Sequence, residues 1–209
     1  MRKIVLAMIA VLLFCFCLPI GAQCLIPPPK NSAVTFYGPV TENSANALIE
    51  AIQIQNLVDS KDPIFLFIDS PGGDTDAMWQ AVDTIENSRR PVYTVVVGKA
   101  ASAAGVFWLY GTKRFMFPHS SILFHDGYVS VGGTGSKVFA RMLMWMERDG
   151  DVEKRIAKIT GMKVDFIALK ESADWWLLPK EAIRIGLADA VVLPHLYPVA
   201  PPVFKLPGA

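Results

Sequence analysis

Two stretches of the chain, Ile64–Ile68 and Val92–Val97, carry no charged residue and no strict polar alternation. A strand with one wet face alternates apolar with polar, whereas an unbroken run is what a strand covered on both faces requires. Between them Met78, Val82 and Ile85 recur at helical spacing, after Asp74 or Thr75, either of which can cap a helix. Upstream, Ala33–Tyr37 predicts a short strand that ends at Gly38-Pro39. Thr41 then opens a helical pattern with Ala45, Leu48, Ile49 and Ile52 on one side and Glu42 near its positive end. Strand alternating with helix at this rhythm predicts βαβ units and a mainly parallel sheet, an α/β fold.

The second apolar run leads into VVVGKAASAAGVFWLY, Val95–Tyr110. The strand is expected to stop at Gly98, and small residues crowd together from Ala100 to Gly105 before bulky ones resume at Val106. That pattern predicts strand, tight turn and helix, with Ser102 at or near the first helical turn. Lys113–Phe117 and Ser121–His125 read as two short strands around Pro118, and Tyr128–Ser136 as a glycine-rich excursion. Lys137–Thr160 is the longest helical pattern, with Phe139, Leu143, Met146, Val152 and Ile156 as its apolar positions and Gly150 placed to break or kink it. Met142, Met144, Trp145 and Met146 exceed what one buried face needs, so they serve either as extra core or as a contact with another subunit. Helices over Lys163–Glu171 and Pro179–Ile185 and a last strand over Leu187–Leu193 complete the expected elements.

At 209 residues, 52% hydrophobic and 19% charged, the chain suits one folded domain with a substantial core. Part of the apolar bias sits at the start. Arg2 and Lys3 precede the uncharged run Ile4–Ile20, then Gly21 and Ala22, the layout of a secretory signal peptide over residues 1–22. The expected address is therefore export, to the periplasm or beyond, with membrane anchoring if the segment stays uncleaved. Residues 23–32 form a Pro-rich lead-in, 33–193 the folded domain and 194–209 a Pro-rich tail. Removing residues 1–22 takes away two basic residues and no acidic one, leaving 18 basic against 19 acidic, net −1. That balance does not suggest a nucleic-acid binder, for which a basic stripe would be expected. Cys15 and Cys17 would leave with the leader, so only Cys24 remains, which excludes an internal disulfide and a cysteine metal site.

Few residues are available for acid–base work. His119 follows Pro118 in a turn and His195 sits in the tail, whereas His125 closes the apolar strand Ile122-Leu123-Phe124. The ends of strands in an open α/β sheet are where such folds place their sites. A near-neutral imidazole there is the best base for Ser102, whose attack would create an oxyanion. Ser70-Pro71-Gly72-Gly73 lies just past the other buried strand, and its glycines let backbone N–H groups face a ligand. The residues alone leave Asp69, Asp126, Asp165 and Asp174 open as the carboxylate partner. They imply no metal and no cofactor.

These motifs together resemble the ClpP peptidase family. The resemblance rests on Ser70-Pro71-Gly72-Gly73, Ala100-Ala101-Ser102, Pro118 through His125, Thr160-Gly161, Asp174-Trp175-Trp176-Leu177 and Glu181-Ala182. Gly38-Pro39-Val40 and Gly186-Leu187-Ala188-Asp189 match its beginning and end. It covers roughly residues 33–193 in order. It implies the ClpP/crotonase-like fold of repeated ββα/βαβ units with a long protruding handle helix, and a Ser-His-Asp serine endopeptidase. By position it implies Ser102 as nucleophile, His125 as base and Asp174 as the carboxylate that orients the imidazole. Gly73 and Ala103 would supply the oxyanion-hole amides, and Gly72, Asp126 and Gly127 would border the substrate. The expected partners are a peptide or unfolded protein substrate and further copies of the chain, with a ring as one form.

The sequence also departs from the family. Ala103-Ala104 intervene before Gly105, where family members place glycine sooner after the nucleophile. Ser172-Ala173 replace a charged pair whose arginine helps couple two rings in the cytosolic enzymes, which weakens the expectation of stacked rings. The leader is the largest departure: an exported copy would lack both ATP and the ATP-driven unfoldase of its cytosolic relatives. Two alternatives stay open. One is a Ser-Lys enzyme like the signal-peptide peptidases, with Lys154 as base at the membrane, and the other is an inactive assembly subunit.

Overall fold

The computed structural model describes residues 32–128 and 130–193. The leader, nearly all of the lead-in, the tail, Cys24 and His195 lie outside the described residues. Five strands run parallel: β1 (Ala33–Tyr37), β2 (Ile64–Ser70), β3 (Val92–Ala101), β4 (Lys113–Met116) and β7 (Ala190–Val191), in the order β1-β2-β3-β4-β7. β5 (Ser121–Phe124) pairs with the far half of β3, and β6 (Trp175–Leu177) runs antiparallel to β5. The helices are α1 (Glu42–Leu57), α2 (Thr75–Glu86), α3 (Ala103–Leu109), α4 (Gly135–Thr160), α5 (Val164–Glu171) and α6 (Pro179–Arg184). This is the α/β architecture of the ClpP/crotonase-like fold. Among the described residues no helix is long and apolar enough to cross a membrane.

The unbroken apolar runs are explained by two separate cores. Ile64, Leu66 and Ile68 point to the helical side and pack with Ile52, Met78, Val82 and Phe107. Phe65 and Phe67, on the opposite face, pack with Val95, Phe115 and Phe117. Both faces of β2 are thus dry from Ile64 to Ile68, so none of these positions selects for a polar side chain. Asp74 caps α2 by accepting the Ala77 amide at 2.7 Å, which decides between it and Thr75.

β3 departs from the expected end at Gly98. It pairs first with β4 through Tyr93–Val96, then with β5 through Lys99–Ala101, bending between the two. The bend is a bulge: Ile68 opposes Val96, while Ser70 opposes Ala100. Asp69 Oδ1 holds it by accepting the Lys99 amide at 3.0 Å. That carboxylate, one of the four candidates, is spent on the bend.

α4 runs unbroken through Gly150. Only Val152 and Ile156 of its apolar positions are buried, whereas Phe139, Leu143 and Met146 are exposed. Of the two readings for the surplus apolar residues, extra core does not hold for Met142, Met144 and Met146, which are exposed: the first half of the helix stands clear of the core as a handle. The last strand is also shorter than Leu187–Leu193. Leu187 and Ala188 turn inward instead, their amides both bonded to the Ala182 carbonyl.

Candidate active site

The site is assembled by β3, β5 and β6. β3 ends at Ala101, and the Ser102 amide donates to the Leu123 carbonyl of β5 at 2.9 Å. Ser102 occupies the N-cap of α3 with φ 54° and ψ −127°, left-handed values that a non-glycine residue adopts only under constraint. The constraint is visible on both sides, since the preceding residue is locked in the sheet and the following one opens a buried helix. Ser102 itself is half-buried.

β6, which no sequence pattern announced, brings in the third group. Its antiparallel register sets Trp175 opposite Phe124, so the next residues outward, Asp174 and His125, become neighbours. His125 Nδ1 lies 3.8 Å from Asp174 Oδ1, with side-chain exposures of 30% and 64%. The separation suits an ion pair and is longer than a hydrogen bond. Asp174, like Ser102, has a φ of 54°. Its amide and that of Asp126 both donate to the Glu171 carbonyl, at 3.1 and 3.4 Å, which ties the two flanks of the pair to one point.

The Ser70-Pro71-Gly72-Gly73 turn packs directly under the nucleophile position. A Cβ on Gly72 would lie 2.7 Å from Ser102 Cβ and 3.1 Å from the Ala103 nitrogen. Gly73 forms a parallel bridge with Val40, but the bonds of that bridge are Val40 N–H to Gly72 C=O and Asp74 N–H to Val40 C=O. The Gly73 amide therefore faces away from the bridge. The Ala103 amide sits at the first position of α3, where no intrahelical acceptor exists.

Ser102 and His125 line one cavity of about 560 Å³, with Val106, Phe124, Trp145 and Val152 among its apolar lining. Of the three residues expected to border substrate, Gly127 lines it, Gly72 is buried under the Ala101–Ala103 turn and Asp126 is exposed. His119 is exposed. Lys154, the alternative base, is exposed and held by Asp151 at 2.9 Å, away from the cavity wall. Beside it, Glu153 is half-buried, and Arg155 pairs with Glu86 at 3.4 Å over the Tyr110 ring.

Besides the exposed Asp76, two acids that are wholly or partly buried line the cavity and were not among the sequence candidates. Glu171, the last residue of α5, is 6% exposed. Burial first, then Glu153, Asp149 and Asp126, push its carboxyl up to about 8. Asp149 on α4 is likewise raised, by burial and then Asp126, with His125 pulling the other way. In the sequence Lys170-Glu171 looks like any polar helix end, so nothing signalled an inward carboxyl.

The chain is similar to known proteins over most of its length. The Clp protease family model matches residues 29–195. The chain is 32% identical over 170 residues to the ATP-dependent Clp protease proteolytic subunit of Streptococcus uberis, covering 78% of this chain and 85% of that protein. It is 33% identical over 162 residues to proteolytic subunit 1 of Frankia casuarinae, covering 76% of each. It is 29% identical over 160 residues to proteolytic subunit 2 of Treponema denticola, covering 76% of this chain and 80% of that one. The chain belongs to the Clp protease family and is a serine-type peptidase, a hydrolase.

Proposed function

We propose that the protein is an exported serine endopeptidase that cleaves peptides or unfolded segments through Ser102, His125 and Asp174, without an ATP-driven unfoldase. The observation that carries the reading is the meeting of Ser102 and His125 on one cavity, with Asp174 3.8 Å behind the imidazole. In this scheme Ser102 Oγ attacks the scissile carbonyl carbon while His125 accepts its proton. The oxyanion is held by the Gly73 and Ala103 amides. Collapse expels the amine, which takes its proton from His125, and leaves an acyl-serine. A water then gives a proton to His125 and its oxygen to the acyl carbon, and return of the proton to Ser102 releases the acid.

Export rests on Arg2, Lys3 and the apolar run behind them, and the lack of an unfoldase follows from that address. Assembly from several copies is supported by the relatives' naming as proteolytic subunits and by the exposed Phe139, Leu143 and Met146 on the handle. The test is labelling with a fluorophosphonate probe alongside hydrolysis of a peptide ester. The wild type is expected to react, and Ser102→Ala to do neither. A folded wild type that takes up no label counts against the proposal.

A further inference from the structure

We propose that the cavity beside Ser102 is an acidic specificity pocket, selecting a lysine or arginine side chain on the residue whose carbonyl is attacked. The inference rests on the peptidase reading above and adds the substrate class. Its basis is Glu171. Glu171 is 6% exposed as a residue and lines the cavity, and among the described residues its carboxyl makes no hydrogen bond and no ion pair while its oxygens stay open to the cavity. The charges that bear on it, Glu153, Asp149 and Asp126, are all carboxylates. An unpaired buried carboxyl is costly, and like charges around it add to the cost. The cations on the cavity wall do not relieve it: Arg148 is engaged by Asp76, and Arg141 is an exposed residue of the handle.

A basic substrate side chain supplies what the pocket lacks. Val106, Phe124, Trp145 and Val152 offer apolar wall for the methylene stem, while Glu171 and Asp149 receive the charged head. A volume of about 560 Å³ is ample for either side chain. A leucine or methionine in the same place would leave the carboxyl buried against hydrocarbon, still unpaired. The raised carboxyl fits this role, because an arriving cation favours the ionised form.

The experiment uses fluorogenic tetrapeptide substrates that differ only at the residue before the cleaved bond: Arg, Lys, Leu or Glu. The expected kcat/KM for Arg and Lys exceeds that for Leu by about tenfold or more, with Glu slowest. Glu171→Gln is expected to lower the Arg:Leu ratio by about tenfold. Two further measurements complete the test: the fluorophosphonate labelling rate of both proteins, and inhibition of the wild type by peptide aldehydes ending in argininal or leucinal. The argininal is expected to bind more tightly. Labelling with Leu cleaved as fast as Arg, or with equal inhibition by the two aldehydes, overturns the acidic pocket and leaves the peptidase reading standing. A uniform loss across all four substrates in Glu171→Gln makes Glu171 a structural residue and also overturns it. Absence of both labelling and turnover overturns the two together.

Discussion

His125 Nδ1 and Asp174 Oδ1 stand 3.8 Å apart because β5 and β6 pair with Phe124 opposite Trp175, which leaves the next residue of each strand facing the other. The pair is a consequence of register, and a one-residue slip would turn His125 to the other face of the sheet. Asn at 174 keeps the left-handed backbone, which Asn tolerates, and removes the charge. Asp174→Asn is therefore expected to fold normally and to lose about 10²–10⁴ in kcat. Steady-state hydrolysis of a peptide ester checks it, and a loss below about twofold would mean that the carboxylate plays no part.

Ser102 holds its φ of 54° at a cost that glycine does not incur. Ser102→Gly and Ser102→Ala should both abolish turnover, but they should differ in stability. The glycine variant is expected to exceed the alanine variant by about 1 kcal/mol in urea unfolding, the reverse of the usual order inside a structured element. Equal midpoints would show that the strained backbone relaxes in solution.

Gly73 meets a harder limit, since a Cβ there would lie 2.1 Å from the Val40 carbonyl oxygen. Gly73→Ala must push β1's exit away from the turn and swing the Gly73 amide with it. The expected result is a kcat lower by about 10²–10³, together with a measurable drop in urea midpoint. Retained turnover at reduced stability would remove the Gly73 amide from the oxyanion hole.

How far the sequence could be read depended on whether an effect was local. The unbroken apolar runs, the Asp74 cap and the small residues around Ser102 are written in consecutive residues, so the sequence itself carried them. Gly98 misled because the bend that it marks is held by Asp69, thirty residues away, which turns an apparent strand end into a bulge. Arg90, between α2 and β3, carries no sign of burial in the sequence. It is 2% exposed, and its guanidinium donates to Asp62, Gln55 and Ser32, acceptors scattered over three segments. Asp174 was chosen over its rivals only through family resemblance, because a three-residue strand has too few positions to show a period. Glu171 had no signal, since its burial depends on the handle packing over it.

Glu171 also makes the fold pH-dependent. Its carboxyl is raised from 4.5 to about 8 in the folded protein, by burial and then by Glu153 and Asp149 of α4 and Asp126 beyond β5. Between those values the folded state binds the proton more tightly than the unfolded chain does, so stability must fall as pH rises. The contribution is complete below about 4.5 and is lost as pH climbs through about 8, with a slope of at most about 1.4 kcal/mol per unit for one proton. Glu171→Gln carries no such proton. The stability of the variant relative to wild type is therefore expected to grow from pH 5 to pH 8 and then level off. Urea unfolding of both proteins across that range measures it directly. Parallel curves would place the folded-state titration of Glu171 near that of an ordinary exposed glutamate, with water reaching the carboxyl.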